Sequence, residues 1–586
     1  MKKVDRRNFV KAVAMAPLLV STTGALGEPS RISADTGERS KTGGADERLN
    51  LTLRRVVEGD SPRYSDDFLL ADVKPTAERR FTEYSGDLSG RYVGALATAA
   101  RVYGIEAPQL DSLVNKIIAL QKPEGYFGST FHFENPTDAD MALLWGNGRL
   151  LVGLLEYYRF RPSERVLAAS RQIGDFLVRV SPLMLSKEIR DAFGAQHFAS
   201  SYICWTQQTE GLAMLYSVTK DERYRKLAES IAAVIERRPG DHVHGYLTSL
   251  RGVMELHAST KDPKLLSQCE RAWQDITASR DLLLTGGVPE GWSPNNHRTE
   301  GCGEADWVRL NLQLWNATEN QKYLSFAERA IFNELAFNQF ATGDFGHRVY
   351  TDTGLPAAGA ARAWWCCTLH GLRCFPDIQD SAFRATRSGI SYEVPVQGKI
   401  ESPLLSATAE SDLSHSGTVR IRITRATKEK ARLSIRKPAW AESVSLRVKQ
   451  TGSMSPLDAG SADAERVWTA GDLIEVKYEM KLRAEKSGED REIFWFGPWL
   501  LGVSAADNPA YFNELTTGNR LFGTPEAALV TNPRRPPFFV PVATAQTDYA
   551  QAEYPDQPGR VILRPIAEQT GQATTSWELR LLKRKS

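Results

Sequence analysis

The chain has little charge imbalance and lacks, near its N-terminus, an apolar run long enough to cross a membrane. The apolar stretch at residues 12–20 is well below the ~20 residues that a spanning helix needs. Its 73 basic and 71 acidic residues give a formal net charge of only +2. Without a basic excess or patch, we expect no nucleic-acid partner. Because the apolar run is short, we also expect no stable membrane anchor.

Cysteine is also scarce, with six residues in a chain of 586. In an exported protein an even count suggests disulfides. A chain of this size needs no covalent staples, and a disulfide between the adjacent Cys366 and Cys367 would close a strained ring. Metal binding therefore explains the pair better.

The N-terminus resembles a twin-arginine export signal. Arg6 and Arg7 precede the apolar stretch, which ends at the small-residue segment 25–27. We predict a signal over residues 1–27, a flexible linker over 28–49 that is rich in Ser, Thr, Gly and charge, and export to the periplasm or beyond. The export machinery is then an expected partner.

A helical repeat follows the linker. Apolar helical stretches end at three similar turns, Thr219-Lys220-Asp221, Thr260-Lys261-Asp262 and Thr318-Glu319-Asn320, and each turn is followed by a second amphipathic stretch. Paired helices over about 300 residues must bury both faces, which favours a closed α/α toroid over an open helical array. We assign residues 50–385 to this catalytic barrel.

Beyond this region the hydrophobic period changes from helical to alternating. Val419, Ile421 and Ile423 alternate with polar residues, as do Ile474, Val476 and Tyr478. This pattern indicates antiparallel sheets with one solvated face, so we assign residues 386–586 to one or two β-sandwich domains.

Four residues of the barrel region suit zinc. Glu300 and Cys302 stand two residues apart in a Glu-Gly-Cys segment, and Cys366 and Cys367 supply two more thiols. Three sulfurs and a carboxylate complete a tetrahedral zinc set. Buried cysteines that pack as small hydrophobes are the open alternative, and it is our interpretation for Cys204, Cys269 and Cys374.

Ordered motifs resemble glycoside hydrolase family 127, the β-L-arabinofuranosidases. They are Thr285-Gly286-Gly287, Glu290-Gly291, Thr299-Glu300-Gly301-Cys302, Glu328-Arg329-Ala330-Ile331-Phe332-Asn333, Cys366-Cys367 with Arg373, Pro438-Ala439-Trp440 and Gly497-Pro498-Trp499. The resemblance implies an (α/α)6 barrel joined to β-sandwich domains. It also implies zinc held by Glu300, Cys302, Cys366 and Cys367, with Cys366 as nucleophile and Glu290 as general acid/base. The expected activity is retaining hydrolysis that releases a β-L-arabinofuranosyl or related sugar from a glycan.

The chain departs from the family pattern on the substrate side. Thr368 and Leu369 follow the cysteine pair where the family has Pro-Pro-Asn, and Gly148-Arg149 replaces a Gly-His pair. We predict substrate contacts from a further set of residues: His244, Glu328, His370, Trp292 and Tyr350. Tyr350 and His347 are the weaker candidates, whereas Trp365 ranks with Trp292 because each adjoins a proposed catalytic residue.

Two other functions remain open at this stage. Toroids with β tails also host polysaccharide lyases, which would give no reason for four zinc-type ligands. A non-catalytic glycan-binding protein with structural zinc would also hold a closed four-ligand site, but it has no use for a carboxylate such as Glu290 beside the metal.

Overall fold

The computed structural model describes residues 45–581 with internal gaps. The gaps fall at 61, 75–78, 106, 193–198, 280, 294–296, 353, 357–361, 451–452, 457–461, 489–490, 509–519, 530–540, 548–559 and 569–573. The predicted export signal and most of the predicted linker lie outside the described residues. Among the described helices, none combines the length and the apolar character that crossing a membrane requires.

Helices dominate the first part of the chain. They are α1 Ala45–Glu58, α2 Asp66–Leu70, α3 Asp87–Tyr103, α4 Pro108–Ile118, α5 Asp138–Phe160, α6 Glu164–Met184, α7 Lys187–Ala192, α8 Ser201–Thr206, α9 Gln208–Thr219, α10 Glu222–Ala232, α11 Val243–Thr260, α12 Pro263–Ala278, α13 Gly301–Thr318, α14 Gln321–Arg329, α15 Ala336–Asn338, α16 Trp365–Asp380 and α17 Leu413–Ser416. A 3-10 turn covers Glu290–Trp292 and a π-helical segment covers Ala330–Leu335.

Six helices form a closed inner ring. Helices α3, α5, α9, α11, α13 and α16 each pack against the next, and α16 packs back against α3. A second helix covers each of them on the outside, in the order α4, α6, α10, α12, α14 and α1. The inner helices are buried on nearly every face, whereas the outer ones are amphipathic. The (α/α)6 toroid is thus confirmed.

The three Thr turns join inner to outer helices in the same way. Thr219, Thr260 and Thr318 end their helices, and each hydroxyl donates a hydrogen bond to the carbonyl four residues earlier. The next residue has a positive φ of 56°, 61° or 60° and caps the helix. Asp or Asn then accepts a hydrogen bond from a backbone N–H of the following helix. One local turn sequence therefore builds three of the hairpins.

The first helix corrects the predicted linker. Helix α1 begins at Ala45, so the last five residues of the segment predicted as flexible are helical. The reason is an apolar stripe, Leu49, Leu53, Val56 and Val57, that is buried in the hydrophobic core next to α16.

The strands are short and lie mostly after the barrel. They are β1 Arg298–Glu300, β2 Gly346–Val349, β3 Gly354–Leu355, β4 Arg362–Ala363, β5 Phe383–Thr386, β6 Gly389–Tyr392, β7 Gly398–Ile400, β8 Leu405–Asp412, β9 Thr418–Ala426, β10 Lys430–Ile435, β11 Ala441–Gln450, β12 Ser453–Pro456, β13 Asp463–Val467, β14 Leu473–Met480, β15 Leu482–Lys486, β16 Arg491–Phe496, β17 Trp499–Ser504, β18 Arg520–Leu529, β19 Pro541–Thr547, β20 Arg560–Pro565, β21 Thr575–Ser576 and β22 Glu578–Leu581.

Four sheets are formed within the described residues. A small sheet β1-β2-β4 belongs to the barrel, and two sheets, β13-β10-β6-β5 and β12-β11-β14-β9-β8-β7, share one hydrophobic core. In the larger of these, Ile474 pairs with Ile421 and Val476 with Val419, and all four are buried as their alternation predicts. The pairs β6–β10 and β18–β22 are parallel, unlike the antiparallel pairing expected.

The last sheet connects the C-terminal strands to the barrel. Its order is β15-β16-β22-β18-β19-β20-β17-β21-β3, and β3 comes from the barrel loop before α16. Asn333 in the π-helical segment strengthens this contact, because its amide bonds Pro498 O and Leu500 N.

Candidate active site

The N-terminal ends of three inner helices meet at one end of the barrel. His242 is the residue before α11, Glu300 the residue before α13, and Trp364 the residue before α16. Cys302, Cys366 and Cys367 consequently lie in the first turns of α13 and α16. The partial positive charge of a helix N-terminus favours thiolates and carboxylates at such positions.

Glu300, Cys302, Cys366 and Cys367 form one compact group. Their ligand atoms all lie within 4.8 Å of one another. The Sγ atoms of Cys366 and Cys367 are 3.9 Å apart, and Cys367 Sγ lies 3.6 Å from Glu300 Oε1. All six cysteines of the chain are free thiols. The structure therefore assembles the four predicted ligands without a disulfide.

Gly301 permits this close approach of α13 and α16. A Cβ at this position would lie 2.6 Å from Asn338 Oδ1 and 3.2 Å from the Cβ of Cys367. Contacts that short do not occur without displacement of the neighbours. Glycine between Glu300 and Cys302 is thus a packing requirement of the cluster.

The three thiols have different environments. Cys302 and Cys367 are fully buried, and burial raises the pKa of each well above the usual thiol value. Cys366 is partly exposed, and hydrogen bonds from Cys302 and Cys367 hold its pKa well below the usual value. Cys366 is therefore the thiol of the group that carries the thiolate.

Glu290 is paired with His242 beside the thiol group. Oε1 of Glu290 lies 2.7 Å from His242 Nδ1, which is also 3.6 Å from Glu300 Oε2. Burial opposes a charge on the imidazole, but Glu300 and Glu290 raise the pKa of His242 to about 9. Burial likewise opposes ionisation of Glu290, yet His242 lowers its pKa below the ordinary range. The pair thus holds one proton at neutral pH.

The turn that carries Glu290 has strained backbone. Gly291 has φ 71° and Trp292 has φ 55°, a conformation that is unfavourable for a bulky residue. The Trp292 ring is held against Tyr246 at a centroid distance of 5.4 Å and packs on Arg237. Such strain is typical of functional turns whose surroundings fix them.

A buried network behind the thiols fixes Arg91. Asp306 accepts from Nδ1 of His244 at 2.6 Å, so the other ring nitrogen, Nε2, accepts from Arg91 Nη2 at 2.8 Å. A second nitrogen of Arg91, Nη1, lies 3.8 Å from Cys302 Sγ. The network therefore places a permanent positive charge beside the thiol group.

Asp306 is the centre of this network. Besides His244 it accepts hydrogen bonds from Thr248, Arg251 and His370, at 2.7, 2.9 and 2.7 Å. His244, Asp306 and His370 could be mistaken for a metal site, since their ligand atoms also lie within 4.8 Å. The guanidinium groups of Arg91 and Arg251 that contact them make a cation unfavourable there.

A pocket of about 110 Å³ opens onto the thiol group. Its lining residues are Phe81, Tyr84, Asp87, Arg91, Trp145, His242, His244, Glu300, His347, Trp364, Trp365 and Cys366. Asp87 accepts hydrogen bonds from Arg91 and from the Trp145 indole. The pocket thus combines aromatic rings, one thiol and several hydrogen-bonding groups, as sugar sites do.

The predicted substrate contacts divide into two groups. His244 lines this pocket, as do His347 and Trp365, whereas Trp292, His370, Glu328 and Tyr350 do not. His370 is turned towards Asp306 and lines a smaller cavity behind the pocket. Trp292 is buried against Tyr246, so it supports the Glu290 turn instead.

Glu328 and Tyr350 lie in interfaces. The Glu328 carboxylate forms an ion pair with Arg436, which follows β10, and so joins the barrel to the sheets. Tyr350 is buried with Phe337, Leu355 and Trp577 in a separate hydrophobic cluster. A motif match identified Glu328, and nearness to the thiol loop identified Tyr350, but neither signal indicates which surface the side chain faces.

Several pocket residues were not predicted. His242 carries a detectable signal, because it stands two residues before His244 in the segment that opens a helix. Arg91, Asp87 and Phe81 carry none, since isolated charged and aromatic residues are usually surface or core. Arg149, predicted on the substrate side, is buried and bonds Glu210 and Gln207 behind the pocket.

The fold and pocket define a carbohydrate-processing enzyme with an (α/α)6 catalytic barrel. The sequence profile of the β-L-arabinofuranosidase GH127 catalytic domain matches residues 71–380, and that of the GH127 middle domain matches 393–480. The chain belongs to glycoside hydrolase family 127. It is therefore a glycoside hydrolase, which sets aside the lyase and the non-catalytic binding protein.

Solved structures share the fold. A GH127 β-L-arabinofuranosidase from Geobacillus stearothermophilus T6 has a TM-score of 0.67 at 17% identity, covering 92% of this chain and 97% of that one. A second GH127 β-arabinofuranosidase has a TM-score of 0.66 at 15% identity, covering 91% and 94%. No curated protein sequence matches the chain.

Proposed function

We propose that the chain is an exported retaining glycosidase that releases a terminal β-L-arabinofuranosyl or related sugar. In this proposal Cys366 is the nucleophile and Glu290, paired with His242, is the general acid/base. The observation that carries it is the group of three thiols and one carboxylate, with ligand atoms within 4.8 Å of one another, at the wall of the pocket.

Access supports Cys366 as the nucleophile. It is the thiol of the group that lines the pocket, whereas Cys302 and Cys367 are 0% exposed. Its lowered pKa supports the same choice, because the thiolate is the attacking species. An anomeric carbon in the pocket can therefore be reached by Cys366 and not by its neighbours.

The donor set fits zinc. Glu300, Cys302, Cys366 and Cys367 supply three soft sulfurs and one oxygen, which is a complete tetrahedral set. Glu300 Oε2 is buried and forms no hydrogen bond with any residue that the structure describes. Burial also raises the pKa of Glu300 to about 8, and a bound cation would stabilise its ionised form. When bound, zinc supplies the charge that keeps Cys366 deprotonated.

Proton transfer is assigned to the His242–Glu290 pair. In the first step Cys366 Sγ bonds to the anomeric carbon while the leaving oxygen takes a proton from Glu290. In the second step Glu290 takes a proton from water, which attacks the same carbon and releases the sulfur. The proton shared between His242 Nδ1 and Glu290 Oε1, 2.7 Å apart, is the one used. His242 lines the pocket and so connects this pair to the substrate.

Export rests on the sequence. The paired arginines Arg6 and Arg7 and the apolar stretch after them support the twin-arginine route. That route carries folded cargo, which suits a thiol site that is loaded with metal before export.

The direct test is hydrolysis of 4-nitrophenyl β-L-arabinofuranoside by the zinc-loaded full chain. The proposal predicts L-arabinose as product, first formed with the β configuration of the substrate, as followed by NMR. Release of the α anomer first would mean direct attack by water and would overturn the two-step scheme.

A further inference from the structure

Three aromatic rings form the outer part of the pocket. The Trp364 and Trp365 rings meet nearly at right angles, with centroids 5.6 Å apart. Phe81 lies across both, at 5.8 Å from Trp364 and 6.3 Å from Trp365. All three line the same pocket as Cys366. Rings crossed at these angles form an apolar corner in which a group that extends outward from the nucleophile can pack.

Phe81 has an unusual conformation. It is 36% exposed, which is high for a large apolar side chain, and its φ of 63° lies in the left-handed region. A bulky residue rarely adopts this backbone, and core packing does not explain it for a side chain that faces solvent. The strain therefore holds an exposed ring at the mouth of the pocket.

A row of side chains leads outward from the thiol group. In the sheet β1-β2-β4, Glu300 stands opposite His347, and His347 stands opposite Arg362. Residues directly opposite one another point to the same face, and so does Arg298, two residues before Glu300. The face that begins at Glu300 is thus continued by a histidine and two arginines.

Neither arginine has an acidic side chain within ion-pair distance among the residues that the structure describes. Nε of Arg298 is buried without a hydrogen bond to any described residue, and the positive charge of Arg298 helps to lower the pKa of Glu290. The Arg362 guanidinium lies 4.8 Å from the Trp364 ring centroid, and the Arg80 guanidinium 5.8 Å from that of Phe81. The carboxylate of Asp352, three residues after β2, lies 3.9 Å from the ring Nδ1 of His297. Two guanidinium groups thus lie against the aromatic rings.

We propose that this outer region is a subsite for a leaving group that is a uronate, a sugar that carries a carboxylate. In this subsite Arg298 and Arg362 bind the carboxylate, and Phe81, Trp364 and Trp365 pack on the sugar ring. The inference rests on the proposed function and specifies its substrate class. A carboxylate accepts two hydrogen bonds from a guanidinium, which a neutral sugar does not. The terminal sugar bound at Cys366 is then cleaved from an acidic glycan.

The test compares two aryl glycosides that differ in one charge. The 4-carboxyphenyl and 4-carbamoylphenyl β-L-arabinofuranosides have leaving groups of similar size, and only the first is anionic at pH 7. We expect the ratio of kcat/KM for the carboxyphenyl glycoside to that for the carbamoylphenyl glycoside to be about tenfold lower in the double variant Arg298→Gln/Arg362→Gln than in the wild type. A loss of this size is typical of charged hydrogen bonds. Comparing the ratio between variants cancels the different intrinsic reactivities of the two phenols.

Two controls define the effect. Arg432→Gln removes the same charge from an exposed residue on β10, where Arg432 pairs with Asp463, and should keep the wild-type ratio. Phe81→Ala should lower kcat/KM for both glycosides alike, because a ring packs on either. Added salt should reduce the wild-type ratio. An equal ratio in the wild type and the double variant would overturn the subsite.

A binding measurement separates this inference from the hydrolysis itself. Calorimetry on the zinc-loaded full chain should show D-galacturonate binding more tightly than D-galactose, with the difference lost in the double variant. If the aryl glycosides are not cleaved but this difference is found, the proposed function fails and the anionic subsite stands. If both sugars bind alike, the subsite is wrong whatever the enzyme hydrolyses.

Discussion

His242 Nδ1 lies 2.7 Å from Glu290 Oε1, and both side chains are buried at the end of the barrel where the thiols meet. The imidazole has a raised pKa and the carboxyl a lowered one, so a single proton is shared over the neutral range. The acid/base group of the proposed reaction is thus a pair.

Glu290→Gln removes the acid and leaves a side chain of the same size. We expect kcat/KM to fall by at least about a hundredfold on an alkyl or sugar glycoside, whose leaving oxygen needs a proton. A 2,4-dinitrophenyl glycoside, whose leaving group departs unprotonated, should lose far less in the first step. Glu304→Gln, two residues after Cys302, is a matched change of a buried carboxyl; it should not produce this dependence on the leaving group. Equal losses on both substrates for Glu290→Gln would make Glu290 a binding residue.

Metal content tests the thiol group directly. The purified protein should hold close to one zinc per chain, and Cys302→Ser or Glu300→Ala should lose it, because an incomplete set binds far more weakly. Cys204→Ser makes the same change at a buried thiol that donates a hydrogen bond to the Ala199 carbonyl, and it should retain the metal. Full zinc content in both ligand variants, measured by plasma emission, would contradict the site.

The Asp306 network predicts loss of stability in acid. Burial, aided by Arg91 and Arg309, lowers the pKa of His370 to about 4 despite its contact with Asp306. Between pH 6.5, near the ordinary pKa of histidine, and pH 4, the His370 side chain is protonated in the unfolded chain but neutral in the folded chain. Stability is therefore lost as the pH falls from about 6.5 to 4. The full shift amounts to about 3 kcal/mol.

Urea unfolding between pH 7.5 and 4.5 measures this effect. The wild type should lose stability steadily over the range, while His370→Asn, less stable throughout, should show a shallower dependence on pH. Parallel curves for the two proteins would mean that His370 does not titrate as its burial requires.

Export has a simple genetic test. Replacing both Arg6 and Arg7 by Lys preserves the charge but removes the paired arginines, so the protein should stay in the cytoplasm. The reverse change, Lys to Arg at both Lys2 and Lys3, is the matched control and should not affect export. Normal export of the Arg6 and Arg7 variant would exclude the twin-arginine route.

The fold was largely predictable because its signals are local. The Thr-Lys-Asp and Thr-Glu-Asn turns specify helix ends, and the alternation around Ile421 and Val476 specifies buried strand faces. Helix α1 was missed because its apolar stripe, 49–57, adjoins a polar segment rich in Gly and Ser, which dominates the local composition.

The site was predictable only in part, because a motif identifies residues but not the directions of their side chains. Glu328 follows the family motif yet pairs with Arg436, more than a hundred residues later in sequence. Arg91 and Phe81 reach the pocket through the closure of the ring by α3 and α16, a long-range contact that no local pattern reports. His370 was expected in the pocket from its nearness to Cys367, but the helical turn points it at Asp306.

The central claim is that Cys366 attacks the anomeric carbon. An electrophilic β-L-arabinofuranose analogue, such as a bromoacetamide of matching configuration, should label the zinc-loaded enzyme once and inactivate it. Peptide mapping should find the label on Cys366, the thiol that lines the pocket, and not on the buried Cys367. Because both cysteines belong to the proposed zinc set, loss of activity in either variant cannot distinguish them, whereas the position of the label does. A label on Cys367, or on a carboxylate such as Glu290, would contradict the account.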